Sequence, residues 1–186
     1  MSLLLADRAC LSSPLPLYRF DELRMLSVDP RANEWMRLRK GVYVQRAAFA
    51  TLKPWKRYEV RVHAFMLTNP EAILCLESAA VIHGIPLFGE TKDIHVFEPD
   101  GKSTTRNGDV CFHTSADARE IVSVGTTRVT SIPDTVSDLA RVLPPAKALA
   151  AADAAISPVQ GGGFTIDKLR ARGSYQRNRR GVRLRE

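Results

Sequence analysis

Glu90, Thr91 and Lys92 form a Glu-x-Lys triplet, a pattern in which metal-dependent nucleases set a carboxylate on Mg²⁺ and a lysine on the attacked phosphate. That chemistry needs a second acid on a neighbouring strand, and the apolar run AILCL at 72–76 supplies none. The triplet therefore reads as a surface turn beside Gly89. Four histidines, His63, His83, His95 and His113, are scattered along the chain. Asp93 with His95, and Cys111 with His113, stand two residues apart on strand-like segments, so these four can meet on one face if the strands pair. We expect satisfied core and sheet-edge side chains there. The GGG at 161–163 lacks the lysine and the strand of a phosphate loop. No catalytic residue, no metal and no cofactor is expected, and the chain reads as a non-enzyme.

A second chemistry is electrostatic. MRLRKGVYV at 36–44 places Arg37, Arg39 and Lys40 before a glycine and a short β-type run. Cations on such a corner can lie along a phosphate backbone. Arg31 and Asn33, just upstream, are the side-chain types that read guanine and adenine bidentately in the major groove. The net charge of +7 is carried wholly by the last 19 residues, whereas residues 1–167 hold 19 cations against 19 acids. Within that neutral body, 19–46 has seven basic residues and four acids. The terminal SYQRNRRGVRLRE carries Arg177, Arg179 and Arg180, cations that attract phosphate on a segment with too few apolar anchors to fold alone. The expected DNA-binding set is therefore Arg31, Asn33, Arg37, Arg39, Lys40, Arg177, Arg179 and Arg180, with double-stranded DNA as partner.

These residues need elements to position them. Asp21 reads as the cap of a short helix with Leu23 and Leu26 on one face; Asp29, with Pro30 in the first turn, opens a second one ending at Gly41, with Trp35 and Leu38 inward. A strand at 42–46 follows. Helix, turn, helix, basic strand is the order of a small winged helix-turn-helix unit. Beyond Lys53-Pro54, an amphipathic helix from Trp55 turns Tyr58, Val62, Phe65 and Met66 to one side. A strand at AILCL, a helix at ESAAVIHGI closed by Gly84, strands at DIHVFEP, GDVCFHTS and REIVSVGTTRVTS, and three helices at DTVSDLARVL, PAKALAAADAAI and FTIDKLRARG complete the chain. The fold class is α+β: a small N-terminal winged helix-turn-helix-like unit followed by a larger α+β domain with a mixed sheet. The expected divisions are 1–52, 53–173 and a basic tail at 174–186, with VQGGGF at 159–164 as a flexible joint. No apolar run reaches the roughly 18 residues that span a bilayer, so no membrane partner is expected. The three cysteines, Cys10, Cys75 and Cys111, have no metal-like spacing and suit a reducing cytoplasm.

RLRKGVYV, SAAVIHGIPL some forty residues on, DIHVFEP and VTSIPDTVSDLAR, followed by an Ala-rich helix, resemble in order and spacing the AbiEi-type antitoxin family of abortive-infection systems. The resemblance runs from about Leu17 to Arg172. It implies a winged helix that binds operator DNA, an α/β domain with antitoxin activity, repression of the chain's own operon, and a cognate toxin as a second partner. It also implies an alternative, a recognition or interaction module of the nuclease-containing relatives. Asp134 stands where relatives tend to carry arginine.

Overall fold

The computed structural model describes residues 9–87, 89, 91–156 and 166–175. β1 (Tyr18–Arg19) runs straight into α1 (Phe20–Met25), β2 (Trp35–Arg39) and β3 (Val42–Gln45) form a hairpin, and α2 (Arg46–Thr51) and α3 (Pro54–Thr68) follow. β1, β3 and β2, in that order, make a small antiparallel sheet. Next come β4 (Ile73–Leu74), α4 (Leu76–His83), β5 (Ile94–Phe97), β6 (Thr105–Asn107), β7 (Val110–His113), β8 (Ile121–Val124) and β9 (Thr127–Thr130). These six strands form one sheet in the order β6-β7-β5-β4-β9-β8, parallel at β4/β9 and β5/β7 and antiparallel elsewhere. α5 (Ile132–Val142), α6 (Pro145–Ile156) and α7 (Ile166–Tyr175) close the described chain. The molecule is thus α+β with a mixed six-stranded sheet, as its sequence implies.

Neighbouring residues of one strand point to opposite faces, and the core divides accordingly. Leu74 and Val96 join Tyr58, Val62, Phe65 and Met66 of α3 in one cluster, whereas Ile73 and Phe97 join Val136 and Leu139 of α5 and Ala151 and Ala155 of α6 in another. Helices therefore cover both faces. α4 contributes Ala79 and Ile82 to the first cluster and Ala80 to the second, since its small residues let it approach closely on both sides. Gly84 caps it with φ 72°, as the glycine predicts.

The N-terminal unit differs from its expected form. No second helix spans 29–41: residues 29–34 are turns, and Trp35–Arg39 is an edge strand. Asp29 does not cap a helix. Its carboxylate accepts from the Arg31 N–H at 3.0 Å and its carbonyl from Ala32 at 3.1 Å, a local turn that competes with helix entry. Gly41, with φ +74°, closes a hairpin rather than a helix. Both structures ask glycine for the same left-handed backbone, so the residue alone cannot distinguish them; pairing with β3 decides. Asp21 lies inside α1, whose N-cap is Arg19, with the Glu22 carboxylate accepting from the Arg19 N–H at 2.7 Å. Leu23 is buried, but Leu26, beyond the helix, is 62% exposed. α2 and β6 went unforeseen, and AILCL forms only a two-residue strand, because Leu76 turns left-handed (φ 48°) into α4. The joint at 159–164 lies outside the described residues, as does Glu90.

Candidate nucleic-acid interface

Register in the small sheet sorts the cations. Val42 and Val44 are buried, so β3 turns these inward and Tyr43 and Gln45 outward. Directly opposed residues share a face. Arg39, opposite Val42, therefore points inward, and Arg37, opposite Tyr43, points outward. Two residues apart on a regular strand, they would share a face. The register shifts between them, leaving Leu38 as an extra residue. Without it Leu38 would oppose Val42 and Arg39 would rejoin Arg37.

The inward turn gives Arg39 a structural role. Its guanidinium donates to Asp109 at 2.9 Å, beside a 2.7 Å bond from Arg61 to the same oxygen, and lies 5.8 Å from the Phe65 ring centre. The two guanidiniums hold the Asp109 carboxyl below its ordinary range, against the opposing effect of burial. Arg39 thus pins the small sheet to the large one and is withdrawn from solvent. Arg37 and Lys40 are exposed, and no carboxylate pairs with either among the described residues. Arg31 and Asn33 are exposed too, but on the 29–34 turns instead of a recognition helix. The Asn33 carbonyl accepts from Arg46 Nε at 2.7 Å, and the Trp35 carbonyl from the same guanidinium at 3.0 Å, which fixes this turn against the start of α2. Arg31, Asn33 and Arg46 stand at the open end of the hairpin, Lys40 at its turn, and Arg37 on the strand between them. Arg177, Arg179 and Arg180 lie outside the described residues.

The outer face carries more than cations. Tyr18 opposes Tyr43 and Trp35 opposes Gln45, so Tyr18, Trp35, Tyr43 and Arg37 share it. Tyr18 and Trp35 meet edge to face at 5.2 Å, and Tyr43 lies 6.3 Å from Phe20. Trp35 was expected to face inward, as a helix residue; the strand turns it outward.

A second constellation was only half visible in sequence. β5 and β7 do pair, His95 opposite Cys111, and His95 Nδ1 meets His113 Nε2 at 2.9 Å. Behind His95, the Glu77 carboxylate stands 3.4 Å from Nε2, its Oε2 buried without a hydrogen bond. Burial lowers the pKa of both imidazoles, with the neighbouring ring adding to the effect on His113, and raises that of Glu77. His113 lines a cleft of about 430 Å³ with Ser115, Arg119, Asp138 and Arg141. Arg119 already spends its guanidinium on both oxygens of Asp138, at 2.9 and 3.0 Å. No group of three or more metal-ligating side chains converges among the described residues. Glu77 sits 18 residues from its partner, and no spacing signal connects a helix to a strand across that distance. Asp134 is buried, and its carboxylate accepts from the Glu120 N–H at 2.8 Å.

No protein-family model matches this chain, and no curated protein matches it. No helix among the described residues is long and apolar enough to cross a membrane.

Proposed function

We propose that the chain is a DNA-binding transcriptional regulator of antitoxin type, which represses its own operon or counteracts a cognate toxin, and that it docks on the phosphate backbone with the β2–β3 hairpin as its wing. One observation carries this reading: Arg37 and Lys40 on the hairpin and Arg31 on the turn before it are each exposed, without a carboxylate partner among the described residues, while Arg39 is taken up inside. Three exposed cations spread along one hairpin, Arg31 before β2, Arg37 within it and Lys40 at its turn, suit a regularly spaced polyanion. The resemblance to AbiEi-type antitoxins supplies the regulatory part. Asn33 and Arg31 offer the base contacts, from a turn.

Changing Arg31, Arg37 and Lys40 together to Ala should weaken duplex binding for every sequence and reduce the slope of log affinity against log salt by up to about three phosphate contacts. Arg39→Ala should instead lower stability and leave that slope nearly unchanged. If the triple variant binds duplex as the parent does, with the same slope, these cations are not the DNA contact. A second reading, an interaction module for a protein partner, is favoured by Met25 and Leu26, 85% and 62% exposed where α1 ends. Loss of toxin capture in a Met25→Ser, Leu26→Ser variant, with DNA affinity intact, would carry it.

A further inference from the structure

We infer that the outer face of the three-stranded sheet is a stacking platform for the unpaired bases of a single-stranded nucleic acid, an inference that rests on the phosphate-docking reading and names what lies beside the phosphates. Register places Tyr18, Trp35 and Tyr43 on this face with Arg37, and Phe20 joins at the rim, 37% exposed. Tyr18, Trp35 and Tyr43 are each of intermediate exposure, on the side of the sheet away from the buried Val42 and Val44. Sheets ordinarily keep large aromatic rings for their packed face, and here the packed face holds valines. Rings on the open face leave apolar area in water that an occupant can cover.

The cations say which occupant. Arg37 lies directly across from Tyr43, Lys40 follows at the hairpin turn, and the exposed Arg46 guanidinium sits at the Trp35 carbonyl. An apolar peptide would leave these charges unanswered. A strand of nucleic acid answers both features, its phosphates on the cations and its bases on the rings, and stacking tolerates any base because each has a π-face. A duplex keeps the faces of its bases inside its own stack, so it offers the rings nothing to stack on.

The test uses the full chain with Trp55→Phe, so that Trp35 is the remaining tryptophan and its emission reports the platform. It is titrated with a dodecamer of thymidylate, a dodecamer of uridylate and a twelve-base-pair duplex, at low and moderate salt. We expect both single strands to quench Trp35 and to bind at least about tenfold tighter than the duplex, and Tyr43→Leu, which keeps an apolar body without the ring, to weaken them by roughly tenfold while leaving the duplex unaffected. A circular-dichroism melt of Tyr43→Leu confirms the fold. Equal affinity of the two single strands means the rings alone select, and a preference for either identifies DNA or RNA as the source; both support the platform. Single strands that bind no tighter than duplex, or that are indifferent to Tyr43→Leu, overturn the platform and leave phosphate docking standing. If neither form binds, both readings fall.

Discussion

Tyr58 is almost wholly buried, yet its hydroxyl is fully employed: it meets the Ser78 hydroxyl and donates to the Asp93 carbonyl, each at 2.8 Å. Ser78 Oγ in turn accepts from the His95 N–H at 2.8 Å. One phenol therefore ties α3 to α4 and to the entry of β5. Burial pushes its pKa far above the ordinary range, so the neutral phenol is the form present at any physiological pH. Tyr58→Phe keeps the ring and strands two polar groups, which should cost about 1–3 kcal/mol, read as a lower denaturant midpoint with an unchanged slope. A loss under 0.5 kcal/mol would mean that water replaces the hydroxyl. The same residue-scale logic separates two arginines that look alike in sequence. Arg39 has a carboxylate partner and an aromatic ring, and Arg37 has solvent, so charge count alone misjudges what each can offer a ligand.

At the scale of elements, the β2–β3 hairpin rests on one glycine and one irregularity. A Cβ at Gly41 would touch nothing within 4 Å, so the position is reserved by backbone conformation, not by space. Gly41→Ala should destabilise the protein by about 1 kcal/mol, since an L residue is strained at that φ. Because the turn positions Arg37 and Lys40, duplex affinity should fall with it, and calorimetric melting beside a DNA titration measures the two together. An alanine that costs nothing would show the turn can rearrange. The bulge at Leu38 decides which side chains face out, and it accompanies an inward Arg39 that finds Asp109.

At the scale of the whole molecule, His63, His83, His95 and His113 all carry pKa values depressed by burial. Their folded pKa values lie below the unfolded value of 6.5, so between the two the unfolded chain binds more protons. Stability from these neutral imidazoles is fully present above pH 6.5 and declines as pH falls below it. Glu77 acts in the opposite sense, its raised pKa favouring the folded state as it protonates, but it is one group against four. Asp109, held low, loses its contribution only at more acid pH, as it protonates below 3.8. The denaturation midpoint should therefore drop steadily from pH 7.5 to 5.5; a flat profile would show that the imidazoles are already solvated. His95→Gln, which removes one member of the pair with His113, should shallow the drop.

The α3 helix was legible in the chain itself, because Tyr58, Val62, Phe65 and Met66 repeat at the helical period and all are buried. So were the β8–β9 hairpin at Gly125, the cap at Gly84 and the helices after Ile132, each set by a local pattern or a local backbone need. Residues 29–41 were not legible, since Asp-Pro followed by Trp35, Met36 and Leu38 among cations satisfies a helix start and an edge strand alike. β3 supplied the missing hydrogen-bond partners and settled it. The sequence also determined that cations cluster at 37–40, but not which of them meet solvent. That depends on register with Val42 and Tyr43 and on Asp109, 70 residues from Arg39. Contacts at such separations leave no periodic trace in a single chain, and only the folded molecule brings them within hydrogen-bonding reach.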